Sequence, residues 1–495
     1  MMAASPAWLV AAPLVGAILA FVLQPVRRGG VALLLGGVTA ICGVVTWTIC
    51  GALLRGGAWR VAVGAWPSSV GIGLNVDGLS AAFLAIVWLV LLAASTDAWR
   101  SRVDPRSNQL ADDVRAARTF WPLWFLLWAG LNALFLTADL FNLYVCLELV
   151  GLTSVALVAS AGGAGPLRAA LRYFFVNVAA SLAFFLGVAL VYHRYEALDF
   201  QRLASLVRPD GETTLALSLL SGALLFKAAI VPLHGWLPAA HAAAPAPVSA
   251  LLSALVVEAP LYLLLRLWWF CFPGLPGSAA AALIGVLGSA GLVWGSLQAI
   301  RAVRLKELVA YSTVAQIGLL LVAVPLVRSS ANPRAWAGLV FLAAAHALAK
   351  AAMFLAAGGV ARAYGHDRLS ELAGFGTRHP VHAYALGLAG MSLMGVPGTG
   401  GFMGKWLLAT SPATPADLVW VVIIAGSALL TAGYVWRVLV PAIRPEPRGA
   451  PQEGGAQERG WAALALALAA LLLGVASAVP DTLIRIGLPV LGGGP

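Results

Sequence analysis

The chain has 495 residues, of which 61% are hydrophobic and only 10% charged, with a mean hydropathy of +0.90. Soluble domains carry about 25% charged residues, so this composition excludes an ordinary water-soluble globular protein. The formal net charge of +11 raises nucleic acid as a partner, but the basic residues are scattered through short connecting loops, and nucleic acid is excluded.

Crossing the hydrocarbon of a bilayer takes about 20 apolar residues per helix. Fourteen such runs follow one another, near 6–24, 31–53, 74–95, 119–137, 140–161, 169–192, 214–237, 243–271, 278–299, 306–327, 334–360, 381–409, 417–440 and 461–479. Strand-length segments of alternating polarity are absent, which argues against a membrane barrel. The expected class is an all-α polytopic membrane bundle. No basic residue precedes the first run, and Arg27 and Arg28 follow it; this predicts a retained first helix rather than a cleaved signal peptide. Cys42, Cys50, Cys146 and Cys271 all fall inside apolar runs without paired spacing, the pattern of small core residues rather than of a disulfide or metal site.

The fifth run carries Glu148 at its centre. The seventh, LLFKAAIVPLHGWLPAAHAAAPAPVSALL, holds Lys227, His234 and His241 and is interrupted by Pro232, Pro238, Pro245 and Pro247. The eighth carries Glu258, with Arg266 near its end. The tenth opens with Lys306, Tyr311, Ser312, Thr313 and Gln316, and the eleventh has His346 and Lys350 at its middle. The twelfth, GMSLMGVPGTGGFMGKWLL, is interrupted at Gly395, Pro397, Gly398, Gly400 and Gly401 and holds Lys405. Such breaks free backbone groups that hydrocarbon cannot satisfy, so they survive only against protein or a water-filled cavity. Two of them in separate halves of a chain this long suit an ion path between structural repeats; two kinks with packing roles remain the plainer alternative. Between the thirteenth and fourteenth runs, the segment 443–460 reads as a flexible Pro/Gly-rich connector.

Of the 31 Lys and Arg residues, 26 fall in loops or at helix ends, 18 after odd-numbered runs and 8 after even-numbered ones. Positive residues favour the cytoplasmic side, which predicts both termini outside. Arg266 and Arg437 lie near helix ends, where long side chains reach the interface by snorkelling. Lys227, Lys350 and Lys405 cannot escape so easily, and a lysine at a helix centre costs about 2.5–3.5 kcal/mol on insertion scales.

A buried acid and lysine that neutralise each other have coupled proton affinities, which is the minimal element of a proton relay; a static buried ion pair is the alternative. His346 precedes Lys350 by four residues, on the same helix face, and histidine passes protons near neutrality. A zinc site at the histidines lacks any accompanying HExxH or CxxC, so no metal is expected. The polar groups opening the tenth run are candidate channel-lining residues, or else ordinary interhelical hydrogen-bond partners. No nucleotide, haem or iron–sulfur motif is present and no cofactor is expected, so energy for pumping would come from an ion gradient or a partner.

From about Asp77 to Trp406 the sequence resembles the proton-conducting, antiporter-like membrane subunits shared by Mrp-type antiporters, complex I and membrane-bound hydrogenases. The resemblance rests on VDGLSAAFL, LTADLFNLYVCLELV, FKAAIVPLHGWLPAAHAAAPAPVSALLS, LKELVAYSTVAQIG, HALAKAAMFLAAG and GVPGTGGFMGKWLL together. It implies a fourteen-helix fold with two inverted five-helix repeats and broken seventh and twelfth helices. The boundaries are then 1–118 for helices 1–3, 119–275 and 276–442 for the two repeats, and 443–495 for the connector and last helix. Glu148 and Lys227 resemble the family's acid–lysine pair, His346 and Lys350 its central connection, and Lys405 its exit-side lysine. Glu258 departs from the pattern, since the family usually carries a lysine or histidine there, and Pro260 stands where glycine is usual.

The NLYVCLEL and GIGLNVDGLSA stretches are closest to the D-type component of Mrp antiporters, whereas PLHGWLPAAHAAAP is closer to the complex I and hydrogenase versions. The leading expectation is a proton-translocating subunit of a multi-subunit Mrp-type monovalent cation/proton antiporter. A membrane-arm subunit of a redox-driven complex, a gradient-coupled partner in inorganic-carbon uptake and a non-conducting scaffold stay open. Implied partners are other membrane subunits, lipid, protons and Na+ or K+, in a bacterial or archaeal cytoplasmic (inner) membrane. Whether the chain acts as part of an enzyme is left open.

Overall fold

The computed structural model describes residues 5–23, 28–65, 71–102, 110–330, 332–445 and 460–488. Arg27, Arg106, Arg448, Arg459 and most of the expected connector lie outside them. The chain is almost wholly helical. Helices α1 (Trp8–Leu23) and α2 (Arg28–Gly56) lead to a short antiparallel hairpin, β1 (Trp59–Ala62) and β2 (Gly73–Val76), with Trp59 opposite Val76. Then follow α3 (Gly78–Arg102), α4 (Leu110–Leu136), α5 (Leu140–Ala159), α6 (Ala164–Tyr195) and the short surface helix α7 (Phe200–Leu206). Asp139 and Asp199 start α5 and α7, each carboxylate accepting from first-turn backbone N–H groups, the arrangement that supplies donors orphaned at a helix start with a partner.

The seventh run forms α8 (Gly211–Lys227), a non-helical stretch, and α9 (Trp236–Ala243); the eighth forms α10 (Ala246–Leu251) and α11 (Ala259–Arg266), with one wider π-type segment between them and a second after α11. Next come α12 (Ser278–Arg301), α13 (Leu305–Ser329), α14 (Pro333–Tyr364) and the one-turn α15 (Phe375–Arg378). The twelfth run is α16 (Pro380–Met394) and α17 (Gly400–Ala409), followed by α18 (Leu418–Ile443), α19 (Trp461–Val475) and α20 (Ala478–Ile484).

Ten helices among the described residues are long and apolar enough to cross a membrane, or eleven if α19 and α20, bent by 81°, count as one span. The sequence-based count of fourteen is higher for physical reasons. The first run yields a helix of only 16 residues, and the seventh and twelfth are divided at their proline and glycine clusters into helices too short to span alone. The hairpin has no counterpart among the expected elements, and it moves the start of the third helix from 74 to Gly78.

Loop contacts across the bundle share parity. On one face Arg304 Nε donates to Asp367 Oδ1 at 2.7 Å, Arg362 reaches Asp97 at 3.1 Å and Lys306 Nζ donates to the Ala244 carbonyl at 2.6 Å. All these residues lie in connections after odd-numbered runs or at the very start of the run that follows one. On the other face Arg60 pairs with Asp199, Arg328 Nε donates to the Pro276 carbonyl at 2.7 Å, and Gly78 N–H donates to the Ile486 carbonyl at 2.8 Å. Among the described residues these contacts join odd-numbered connections to odd and even-numbered ones to even.

Helices α13 and α14 form the centre, where Leu308–Leu326 is mostly, and Ala335–Val360 wholly, enclosed. Outer helices instead expose large apolar side chains, such as Leu33, Phe175 and Leu429. A lipid or subunit surround suits that distribution.

Candidate functional site

Lys227 is the last residue of α8, where the helix gives way to the proline-rich break. Its Nζ lies 3.7 Å from Glu148 Oε1 on α5. The same ammonium donates to Asn177 Oδ1 at 2.6 Å and to Ser181 Oγ at 2.8 Å, while Ser181 Oγ donates to Glu148 Oε1. Asn177 and Ser181 are four residues apart on α6 and therefore face the same way. Ser181 thus links acid and lysine through one hydroxyl, which can donate and accept at once. Gly151 on α5 permits this: a Cβ there would meet the Asn177 amide, with 2.6 Å to Nδ2. Asn177 and Ser181 are not among the residues expected from sequence, although two polar residues four apart in RYFFVNVAASLAFF are the signal that finds them.

Beyond this cluster lies a cavity of about 20 Å³ bounded by Lys227, Asn177, Trp236, Val256, Ala259 and Pro260. That is room for about one water molecule. Asn177 Nδ2 and Trp236 Nε1 are buried and make no hydrogen bond among the described residues. The cavity separates Lys227 from the segment bearing Glu258.

Glu258 does not meet Lys227. Its Oε1 hydrogen-bonds His346 Nδ1 on α14, and both side chains are 1% exposed. Lys350, one turn along α14, turns instead to α13, donating to the Val309 carbonyl and to Ser312 Oγ at 2.6 Å, with Nζ 5.3 Å from the centre of the Phe354 ring. Among the described residues no carboxylate pairs with it.

Lys405 on α17 spans the second break. Its Nζ donates to the carbonyls of Leu393 at 3.2 Å and Met394 at 2.9 Å, which end α16. Those carbonyls carry the partial negative charge of a helix C-terminus and lack intrahelical partners. Gly395 follows with φ +85°, and a Cβ on it would lie 3.0 Å from Lys405 Cδ, so glycine both permits the turn and leaves the lysine its course.

The remaining expected residues scatter. His241 stacks on Phe354 with ring centres 4.6 Å apart, and neither ring nitrogen has a hydrogen bond among the described residues. His234 is half-buried at the edge, accepting from Trp294 Nε1 at 3.0 Å, away from the buried cluster. Lys306 closes the end of α9 through the Ala244 carbonyl. Thr313 shares a 2.7 Å hydrogen bond with Ser253, and Gln316 donates to Tyr434 at 2.8 Å and Thr431 at 3.2 Å. Tyr311 is half-buried on α13. Of the polar groups opening this helix, Ser312 is the one that accepts a hydrogen bond from Lys350 among the described residues.

Arg266 does not snorkel. It is 2% exposed and forms a two-pronged pair with Asp77, at 2.5 and 2.6 Å, while its Nε donates to Tyr262 O–H at 2.9 Å. A guanidinium this far from water needs its full set of acceptors, and Asp77, at the start of α3, supplies them. Arg437 does reach outward, donating to the Ala302 carbonyl at 3.0 Å.

The family pattern described as "NADH:quinone oxidoreductase/Mrp antiporter, TM" matches residues 137–431. The chain is 35% identical over 450 residues to the N-type component of the NADH-quinone oxidoreductase of Desulforudis audaxviator, covering 89% of this chain and 85% of that protein. It is 28% identical over 390 residues to the D-type component of the Na(+)/H(+) antiporter of Alkalihalophilus pseudofirmus, covering 78% and 76%. Its fold is similar to a chain of the Mrp complex from Dietzia sp. DQ12-45-1b, with a TM-score of 0.84, 25% identity and coverage of 97% and 96%.

Proposed function

This chain belongs to the NADH:quinone oxidoreductase/Mrp antiporter family, and we propose that it is a proton-translocating subunit of a multi-subunit Mrp-type monovalent cation/proton antiporter. Within the family's inverted-repeat plan it would cross the membrane fourteen times, with repeats at 119–275 and 276–442. Both termini would lie outside a bacterial or archaeal cytoplasmic membrane, as the excess of basic residues on the other face favours. Other membrane subunits and lipid would cover its exposed apolar rim.

The observation that carries this reading is Lys227 held at a helix break by Glu148, Ser181 and Asn177. Buried ionisable groups are rare in membrane interiors and expensive unless employed. A proton delivered to Glu148 removes the charge that faces Lys227, and the change in one group alters proton affinity in the other. Glu258, His346, Lys350 and Lys405 extend the row toward the second break, with His234, His241 and the polar start of α13 as side branches.

In everted vesicles bearing the assembled complex, Glu148→Ala and Lys227→Ala are expected to abolish the pH change that follows an imposed Na+ or K+ gradient, while assembly survives. Retained transport in both variants would sink the proposal. The 35% identity to a NADH-quinone oxidoreductase component favours a second reading, a membrane-arm subunit of a redox-driven complex. Mild-detergent purification separates the two: co-purifying flavin or iron–sulfur subunits, with acidification driven by NADH rather than by a cation gradient, would establish the second.

A further inference from the structure

We infer that Glu258 and His346 form one carboxyl–imidazole unit that holds a single bridging proton and passes protons on by exchange at its two outer atoms, an inference that rests on the proton-translocating reading above. The pair is closed to solvent, and Glu258 Oε1 and His346 Nδ1 are in direct hydrogen-bond contact. The ionisable groups on the elements packed around it are engaged elsewhere or stand apart. Lys227 at the end of α8 bonds Asn177 and Ser181, with Glu148 of α5 beside it; Lys350 of α14 bonds Val309 and Ser312; His241 of α9 stacks on Phe354. Glu258 is therefore not the counter-ion of either lysine.

The outer atoms of the pair carry the inference. Glu258 Oε2 and His346 Nε2 are both buried, and neither makes a hydrogen bond among the described residues. With one proton between Oε1 and Nδ1 and one on Nε2, the unit has no net charge, the state that an enclosed apolar site tolerates. It then offers an open acceptor, Oε2, at one end and an open donor, Nε2–H, at the other.

A proton arriving on Oε2 lets the bridging proton settle on Nδ1, and the Nε2 proton departs. One proton enters, one leaves, no other bond changes, and the unit is again neutral. Two steps reset it: a transiently admitted water molecule carries the ring proton from Nδ1 to Nε2, and rotation of the carboxyl group then returns its own proton to the bridge. Reversal of the same steps carries protons the other way. The acid thus does the work of a basic link by a different route: it supplies one half of a proton-sharing pair instead of a second positive charge.

The test uses the assembled complex in everted vesicles, with the same cation-gradient or NADH drive. Glu258→Gln and His346→Asn keep hydrogen-bonding atoms near the contact but cannot exchange protons through it, and each is expected to slow transport by about tenfold or more. The exchanged pair, Glu258→His with His346→Glu, restores a carboxyl–imidazole contact and is expected to recover most of the rate. If the exchanged pair fails to assemble, infrared difference spectra of the wild type against Glu258→Gln decide. Loss of the broad absorption of a shared, exchangeable proton upholds the unit; a plain carboxylate signal overturns it. Transport in Glu258→Gln within about twofold of wild type would overturn it too, and would leave the wider function standing if Glu148→Ala and Lys227→Ala still abolish transport. Insensitivity of all these positions would instead remove the proton-translocating reading itself.

Discussion

Lys227 and Glu148 stand 3.7 Å apart, and Ser181 stands between them as acceptor from the one and donor to the other. At that separation the attraction is carried partly through the hydroxyl, so Ser181 sets how readily charge on one side is felt on the other. Hydrogen bonds to charged groups contribute about 1.5–3 kcal/mol. Ser181→Ala should therefore slow gradient-linked transport by about tenfold, less than the loss in Glu148→Ala, with Ser181→Thr retaining more. Initial rates of dye quenching in everted vesicles measure this. A Ser181→Ala rate equal to that of the wild type would mean that acid and lysine communicate without the hydroxyl.

Asp77 and Arg266 tie the start of α3 to the end of α11 in a fully buried pair. Removing one partner of such a pair costs about 3–5 kcal/mol, because the other charge is left enclosed, whereas replacing both is far milder. Asp77 also accepts from the Ser80 backbone N–H at the start of α3, so Asn is the replacement that keeps this contact. Arg266→Met alone should sharply lower yield and melting temperature in detergent, and Asp77→Asn combined with Arg266→Met should recover much of the loss. A double variant no better than the single one would contradict this account.

How much of this is legible in sequence depends on whether a residue's partner is local. The break after Lys227 and the glycine cluster before Lys405 announce themselves, because proline and glycine act on their own backbone. The pairing of Glu258 with His346 joins residues 88 apart, and nothing local distinguishes it from a contact with Lys227. Arg266 misleads for the same reason: a lone arginine near the end of an apolar run looks free to reach water until Asp77, 189 residues earlier, is brought against it. Asn177 and Ser181 are legible as a shared face but not as a site, since only folding sets that face against Lys227. Run length does not give helix length either: the first run forms a helix of 16 residues, and the seventh and twelfth are divided at their breaks.

The start of α8 offers a pH test outside the membrane interior. Asp210 precedes the helix and accepts from the Thr213 backbone N–H at 2.8 Å; this bond is the first cause, ahead of Arg194, holding its carboxyl below the ordinary aspartate range. A carboxyl depressed in the folded state contributes its stabilisation above the unfolded value and loses it as pH falls through the folded one. The cap should therefore persist at neutral pH and be lost only under clearly acidic conditions. Hydrogen exchange at residues 211–214 should quicken there in the wild type, while Asp210→Ala exchanges fast at every pH. Exchange in the wild type that is already fast at neutrality would rule out the cap.

At the second break, α17 lies directly on the backbone of α14. A Cβ on Gly404 would come within 2.7 Å of Leu342 N, 2.9 Å of Leu342 Cα and 3.0 Å of the Gly338 carbonyl. None of these atoms belongs to a side chain that could swing aside, so Gly404→Ala has to push one helix off the other. Overpacking of this kind costs about 1–3 kcal/mol. The strain falls one residue before Lys405, whose ammonium depends on α17 staying close enough to reach Leu393 and Met394. Gly404→Ala should lower both the melting temperature in detergent and the transport rate, even though no ionisable group is altered. Gly426 on α18 is the control, because nothing lies within 4 Å of its added Cβ, and Gly426→Ala should leave both unchanged. Equal melting temperatures for the two variants would show that α17 is not seated on α14 through Gly404, and with it would fall the positioning of Lys405 by that contact.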